Sequence, residues 1–283
     1  MAIITISRGS FSYGKEIAEK VAEKLNYECV SREILLKASQ YFNVSEKTLL
    51  ESIHDAPSLL ERITRGRERY IAYIRAALLE HVKKDNVVYH GHAGHLLIPE
   101  IHHVLKVRVI AELDERIALV QQRNHLSRNE AIAHIADEDK HQALWTRYLY
   151  KVDIDDPCLY DMILHIGGLR ISDAIEIICS AARCETFKAT PESKRALNDL
   201  ALQVHVSTAI QTLCKAEVTS RDGVVHIKIP AQKIKRTSYS SPHMQSKVQE
   251  TIQVGLTKEI TEIVRKIPDV KYVICDIERP YFA

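Results

Sequence analysis

Apolar residues follow two different periods in the first 25 residues of this chain. The letters AIITIS form a continuous apolar and β-branched run, which predicts a buried strand ending near Arg8. From Lys15 the apolar residues recur every three to four positions, at Ile17, Ala18, Val21, Ala22 and Leu25. That spacing predicts an amphipathic helix. A strand, a short loop and a helix are therefore expected in this order.

The same alternation continues further along the chain. Apolar runs predict three more strands, at 86–91, 104–112 and 160–166. Amphipathic periods predict helices at about 57–81 and about 172–184. Strands that alternate with helices predict an α/β fold with a parallel sheet flanked by helices. We expect this first domain to span residues 1–186.

The pattern changes after residue 186, where we predict a linker at 187–195 and a second domain at 196–283. Helices are expected at about 192–213 and 247–266, a hairpin around Asp222-Gly223, and a last strand at 270–277. The polar, basic segment 233–243 is predicted to be a mobile loop. This second unit is a small C-terminal α+β domain.

Composition narrows the class of protein. The 283 residues carry 39 basic and 37 acidic side chains, a formal net charge of +2, so no strong nucleic-acid signal is present. No apolar run approaches the roughly 18 residues of a membrane span, and the N-terminus does not resemble a signal peptide. Six scattered cysteines without a C-x-x-C pair suit reduced thiols. We therefore expect a cytoplasmic protein.

The first loop has the spacing of a phosphate-binding loop. Gly9 and Gly14-Lys15 match G-x-x-x-x-G-K, with Glu16 where Ser or Thr is usual. Such a loop binds phosphate because its backbone N–H groups and the helix N-terminus point at the anion. A chance match is the alternative, and the strand before the loop and the helix after it favour the functional interpretation.

Several segments in the same order resemble the cytidylate-kinase-like family. They are ITISRGSFSYGKEIAEKVAEKLNYECVSREIL, NVVYHGHAGHLL, VLKVRVIAELDERI and DPCLYDMILHIGGLRISDAIEII. The resemblance implies a P-loop NTPase-type sheet and ATP-dependent phosphoryl transfer to a nucleoside monophosphate, with CMP favoured and Mg²⁺ as cofactor. It also implies that Glu16 is a normal residue of the loop, because Glu commonly follows the basic residue in this family.

The resemblance implies roles for named residues. The expected nucleotide- and phosphate-binding residues are Arg8, Gly9, Ser10, Ser12, Tyr13, Gly14, Lys15 and Glu16. The expected catalytic residues are Lys15, Arg123, Asp139 and Arg147. The expected acceptor-binding residues are Arg32, Asp55 and His92. The segment from Arg116 to Arg147 is expected to close as a lid. A solvated surface position is the alternative for each charged side chain, and helix capping is the alternative for Asp55.

Departures from the family pattern leave a second function open. Phe11 and Tyr13 stand where relatives carry glycine, and Gln142 stands where an arginine follows the lid Asp. A lid arginine contributes strongly to phosphoryl transfer. The alternative is therefore a catalytically weak or inactive nucleotide-sensing regulatory protein that signals through its C-terminal module.

Two further features bear on possible ligands and partners. His90, His92 and His95 are close in sequence, but no Cys or carboxylate stands at a ligand spacing, so no metal site is expected there. A histidine at position 92, in place of an arginine, would make nucleotide binding depend on pH near neutrality. The second domain resembles a BON-type domain in AEVTSRDGVVHIKIP and EITEIVRKIPDVKYVICDI, a family associated with membrane or ligand attachment in envelope proteins. Nothing in this sequence directs the chain to an envelope, so the alternative is a regulatory module that forms a homodimer or binds a protein partner.

Overall fold

The computed structural model describes residues 2–31, 33–49, 66–91, 93–231, 233–234, 242–279 and 281–282. The chain divides into two compact units, Met1–Lys194 and Arg195–Ala283. A helix begins at Pro191, inside the segment that the sequence predicted as a linker. Among the described residues, no helix combines the length and the apolar character that crossing a lipid bilayer requires.

The first unit is a parallel sheet with helices on both faces. Its strands are β1 (Ile3–Arg8), β2 (Glu28–Val30), β3 (Val87–His90), β4 (Val104–Ala111) and β5 (Met162–Ile166). They lie in the order β2-β3-β1-β4-β5, and every pair is parallel. Its helices are α1 (Gly14–Leu25), α2 (Glu33–Phe42), α3 (Gly66–Val82), α4 (Gly94–Leu97), α5 (Leu113–Asn124), α6 (Arg128–Tyr150) and α7 (Ile171–Ala182). The predicted α/β class is confirmed.

One face of this sheet is an aliphatic core. Ile4 and Ile6 of β1 contact Ile17 and Val21 of α1, as the strand and helix periods predicted, and Ile178 of α7 joins them. These five side chains are almost wholly removed from water. Burial of each large aliphatic side chain contributes about 1.5–3 kcal/mol. This face therefore supplies much of the stability of the unit.

The opposite face is polar although it is equally buried. Thr5 and Ser7 alternate with the two isoleucines of β1, and they lie opposite Tyr89 and Arg108 on the neighbouring strands. All four are buried. Polar groups at this depth need partners, and their position at the carboxyl ends of the strands places them beside the first loop.

The second unit is a three-stranded sheet with helices α8 (Pro191–Ile210) and α9 (Pro242–Val264). Strands β6 (Glu217–Arg221) and β7 (Val224–Ile229) form the hairpin that the Asp-Gly turn predicted. A short strand, β8 (Lys233–Ile234), lies where the sequence predicted a loop. The last long strand, β9 (Tyr272–Ile277), pairs with β7 in parallel, and β10 (Tyr281–Phe282) pairs with β8. Residues 235–241 of the predicted loop lie outside the described residues.

Candidate nucleotide site

The glycine loop lies between the central strand and the N-terminus of α1. The Gly9 N–H donates to the carbonyl of Val109 at 2.9 Å. The Ser12 hydroxyl lies 2.8 Å from the carbonyl oxygens of both Gly9 and Val109. The start of the loop is thereby attached to the carboxyl end of β4, and α1 begins directly after the loop at Gly14.

Phe11 and Tyr13 adopt left-handed backbone conformations, with φ angles of 57° and 62°. Glycine adopts these conformations freely, whereas for other residues they raise the conformational free energy by roughly 1–2 kcal/mol. The Phe11 ring lies 5.3 Å from the ring of His134 and packs against Ile117 and Ile135 of α5 and α6. Contacts with these two helices therefore offset the backbone cost of Phe11 at a position where the family pattern has glycine.

The Tyr13 ring also points away from the loop. Its hydroxyl donates to Glu115 at 3.1 Å, and burial, followed by this hydrogen bond, raises the pKa of the phenol. Neither aromatic ring is among the described side chains that line the adjoining cavity. The two rings thus leave room beside the loop amides.

Gly14 is a position where only glycine fits. A Cβ atom there would lie 2.6 Å from the Cβ of Arg8. Because that contact joins two backbone-attached carbons, the close approach of β1 and α1 depends on the missing side chain. The second glycine of the motif therefore has a structural reason.

Lys15 and Glu16 lie on the exposed surface of the first turn of α1. The ammonium group of Lys15 is 3.7 Å from Glu19, and the side chain is 57% exposed. A pair of this kind contributes at most about 0.5 kcal/mol, so phosphate can compete with it. The expected contact between Lys15 and phosphate stays a prediction.

Two arginines, Arg8 and Arg123, approach each other at the carboxyl end of β1. Arg8 is partly open to solvent. Desolvation of its guanidinium by neighbouring groups, followed by the charge of Arg123, lowers its pKa. Burial, followed by the charge of Arg8, lowers the pKa of His90 to about 4. His90 is therefore neutral near pH 7, and an anion here would relieve the repulsion between the arginines.

Arg116 joins the loop to the helix that follows it. Its Nε donates to the Ser10 carbonyl at 2.8 Å, and its Nη2 lies 2.7 Å from the Ser10 hydroxyl. The same Nη2 is 2.7 Å from both carboxylate oxygens of Asp139, whose Oδ1 also accepts from the Ser10 hydroxyl. Asp139 thus attaches α6 to the loop, and its expected catalytic role stays a prediction.

A cavity of about 340 Å³ opens beside the loop. Its described lining comprises Gly9, Ser12, Arg108, Ile110, Ala111, Arg116, Asp139, Gln142, Ala143, Ile154 and Asp155. Four of these side chains are charged, as two Arg–Asp pairs: Arg116 with Asp139, and Arg108 with Asp155. A cavity with this lining suits a ligand that carries negative charge and can exchange with a carboxylate.

The remaining predicted residues divide into two groups. Arg147 is exposed on α6, and Arg123 lies on α5 near Arg8. Arg32, Asp55 and His92 lie outside the described residues. The acceptor side of the site therefore stays a prediction.

Sequence reasoning missed Arg108, Asp155 and Tyr160. The available signal was a single arginine between two valines in a strand predicted to be buried. A charge at such a position needs a partner or a ligand. The partners come from a segment about 50 residues later, which the local pattern does not indicate.

Comparison with known proteins adds to this geometry. Residues 3–167 match the model of the cytidylate kinase-like family, more than half of the chain. This chain belongs to the cytidylate kinase-like family. The matched region contains the loop, both Arg–Asp pairs and all five strands of the first sheet.

Two curated relatives are archaeal cytidylate kinases. The protein from Sulfolobus acidocaldarius is 31% identical over 96 residues, which is 34% of this chain and about half (52%) of that protein. The protein from Ignicoccus hospitalis is 25% identical over 179 residues, 63% of this chain and 97% of that protein. The resemblance of the second unit to a BON-type domain stays a prediction.

Solved structures give weaker similarity. An uncharacterized protein from Eubacterium ventriosum is 16% identical, with a TM-score of 0.49 over 64% of this chain and 98% of the other. A shikimate kinase from Bacteroides thetaiotaomicron is 12% identical, with a TM-score of 0.40 over 65% and 99%. Scores at this level do not by themselves establish a common fold, which rests here on the strand order and the family match.

Proposed function

We propose that this protein transfers the γ-phosphoryl group of ATP to a nucleoside monophosphate, with CMP as the favoured acceptor. The observation that carries the proposal is the glycine loop between β1 and α1, beside a cavity with two arginines. Membership of the cytidylate kinase-like family supports it. The names of the two archaeal relatives support CMP as the acceptor.

The residues of the site would act by position and charge. The amides of the loop and the N-terminus of α1 would bind the donor phosphates, and Lys15 would turn from Glu19 toward them. An oxygen of the acceptor phosphate then bonds to the γ-phosphorus as the bond to the β–γ bridging oxygen breaks. Arg116 and the arginines near β1 would balance the charge on the moving group, and no covalent bond to the protein is needed.

Mg²⁺ fits the donor set of the cavity. Among the described residues, no group of three or more His, Cys, Asp or Glu side chains is arranged to hold a metal ion. Mg²⁺ in kinases is held by one or two carboxylates together with phosphates and water. Asp139 and Asp155 line the cavity and would supply these carboxylates, and a bound ion would neutralise part of the phosphate charge.

Product analysis tests the proposal. The purified protein is incubated with ATP, Mg²⁺ and each nucleoside monophosphate in turn, and diphosphates are separated by ion-exchange chromatography. We expect the most product from CMP. Gly14→Ala should lower the rate on the order of 100-fold because it displaces the loop from Arg8. Gly168→Ala is the matched control, since its added methyl group meets open space.

A nucleotide-sensing regulator without turnover is the second candidate. The pairing of Lys15 with Glu19 and of Arg116 with Asp139 favours it, because both cations are already engaged. ATP binding without any diphosphate would favour the regulator and contradict the kinase. A failure to bind any nucleotide would contradict both.

For the second unit we propose a BON-like module that mediates self-association or binds a protein partner. The helix–hairpin–helix–strand order and the parallel pairing of β7 with β9 support this proposal. Light scattering of the whole chain, with and without residues 196–283, measures the effect on oligomeric state. If the whole chain and the shortened chain each have the mass of their own single chain, self-association through this unit is contradicted.

A further inference from the structure

Arg108 is a buried cation that the proposed reaction has not yet used. It lies on β4 between Val107 and Val109, and only 7% of the residue is exposed. Burying a guanidinium group costs several kcal/mol unless partners replace the lost water. A strand position with this cost indicates a role other than packing.

Two partners hold the guanidinium from different sides. Its Nη1 donates to the Tyr160 hydroxyl at 3.0 Å, and the hydroxyl donates onward to the Ile154 carbonyl at 2.9 Å. The guanidinium carbon also lies 5.4 Å from the centre of the Tyr160 ring. Tyr160 therefore fixes the orientation of Arg108 relative to the segment that contains Ile154.

The second partner is of a different kind. The Nη2 of Arg108 donates to Asp155 at 2.6 Å, yet the Asp155 side chain is 78% exposed. An exposed carboxylate keeps most of its hydration, so it gains little from the pair and is readily replaced. A buried cation with an exchangeable anion on its solvent side is the arrangement expected of an anion-binding residue.

Among the described residues, the aromatic side chain that stacks on Tyr160 is an uncharged histidine. His95 stacks on Tyr160 with ring centres 4.6 Å apart. Burial, followed by the charge of Arg108, lowers the pKa of His95 to about 3, so this imidazole is neutral. On the cavity side Arg108 faces the Asp155 carboxylate. Gly9 and Ser12 of the loop line the same cavity.

We propose that Arg108 binds a phosphoryl oxygen of the bound nucleotide, and that the Asp155 carboxylate holds this position until the phosphate displaces it. The proposal rests on the proposed function and assigns a further residue to its phosphate site. The Nη2 group that donates to the Asp155 carboxylate can donate in the same way to a phosphate oxygen, so one anion can replace the other without moving the arginine.

Binding measurements without divalent cations test the exchange. Calorimetry with ATP and with inorganic tripolyphosphate, both in EDTA, removes any role of Asp155 as an Mg²⁺ ligand. Arg108→Met loses one charge-assisted hydrogen bond to the ligand, so it should bind both ligands on the order of 10- to 100-fold more weakly than the unmodified chain. Arg108→Lys should retain part of the affinity, and Asp155→Asn should bind several times more tightly because the competing charge is gone.

Two matched variants complete the design. Arg183→Met also removes one arginine from the first unit, but at the end of α7 on the exposed surface, and should leave affinity unchanged. Tyr160→Phe keeps all charges and removes only the hydroxyl, so its loss should be smaller than that of Arg108→Met. If Arg108→Met fails to fold, Arg108→Lys and Asp155→Asn decide the matter.

The outcomes separate this proposal from the function on which it rests. Diphosphate formation by the unmodified chain, together with unchanged tripolyphosphate affinity in Arg108→Met, would overturn the role of Arg108 and leave the kinase proposal standing. Weaker Mg²⁺-free binding by Asp155→Asn would overturn the exchange. Failure of the unmodified chain to bind either ligand would overturn both proposals.

Discussion

The two faces of the parallel sheet are equally buried but chemically opposite. On one face Ile4 and Ile6 pack among aliphatic side chains of α1 and α7. On the other face Thr5 and Ser7 accompany Tyr89 and Arg108. A single strand thus supplies both faces through its period of two, with isoleucine on one side and hydroxyl groups on the other.

This difference separates stability from ligand binding. Each buried methylene group on the aliphatic face stabilises the folded unit. Buried polar groups on the other face destabilise it unless they have hydrogen-bond partners. The polar face also carries Arg108 of the cavity beside the glycine loop. We expect substitutions on the first face to change the free energy of unfolding, and substitutions on the polar, cavity side to change mainly binding and rate.

The largest expected effect is on the cavity side, at Arg116. Arg116→Met removes the cation that contacts Ser10 and Asp139. We expect the rate of diphosphate formation to fall on the order of 10³-fold, as for other arginines at phosphoryl-transfer sites. The free energy of unfolding should fall by only about 1–3 kcal/mol, because the Arg116 side chain is 16% exposed and its removal leaves Ser10 and Asp139 without this donor.

Arg128→Met is the control for this prediction. Arg128 also pairs with an aspartate, Asp114, but at a surface position where the arginine side chain is 60% exposed. Steady-state kinetics of the two variants should therefore differ widely. Equal rates would show that the Arg116 contacts are structural only.

The aliphatic face should respond in the opposite way. Ile6→Ala removes a side chain that is 1% exposed and should lower the free energy of unfolding by about 2–5 kcal/mol. Urea unfolding followed by the fluorescence of Trp145, the single tryptophan, reports on the first unit. A loss below about 1 kcal/mol, or a changed nucleotide affinity of the folded protein, would contradict the division between the faces.

Acid should weaken the first unit through two buried histidines: His90 lies opposite Ile6 of β1, and His95 stacks on Tyr160. Burial lowers the pKa of His90 to about 4 and that of His95 to about 3, below the usual value of 6.5. The unfolded chain therefore binds more protons between about pH 6.5 and these values, so the free energy of unfolding falls as the pH falls through that window. At full titration His90 contributes roughly 3 kcal/mol and His95 roughly 5 kcal/mol to this loss.

His95→Phe tests the acid effect. The variant keeps an aromatic ring against Tyr160 and should lose less thermal stability than the unmodified chain between pH 7 and pH 5. His226→Gln, at an exposed position of the second unit, should follow the unmodified chain. If His95→Phe is as acid-sensitive as the unmodified chain, His95 is not a cause of the loss.

The smallest effect is expected at Thr5. Within the described part of the chain, its buried hydroxyl has no hydrogen-bond partner. Thr5→Val keeps the shape and removes the polar atom, so the free energy of unfolding should stay the same or rise by about 1 kcal/mol. A clear loss of stability in urea unfolding would show that the hydroxyl has a partner in solution.

The elements of the first unit could be predicted where the local pattern is strong. The strands at Val87–His90 and Val104–Ala111 agree with their apolar runs. The strand Glu28–Val30 was missed because it has three residues and buries only Val30 fully. The strand order follows from contacts between distant segments, and periodicity does not encode such contacts.

The site was predictable to a similar extent. The glycine loop and Asp139 were found because motif spacing and family resemblance indicate them. Arg116 was noted only as part of the lid, since its contact with Ser10 joins residues 106 positions apart. The contact between Arg108 and Asp155 spans 47 positions and needs the folded sheet.

Phe11 has one more consequence. Its ring is inserted among side chains of α5 and α6, while its own backbone belongs to the glycine loop. Any rotation of those two helices would displace the Phe11 ring and, with it, the loop backbone. The loop and the two helices should therefore move together. Amide relaxation dispersion of residues 9–14 and of α6 would then report a single exchange rate, and a chain carrying glycine at position 11 would show two.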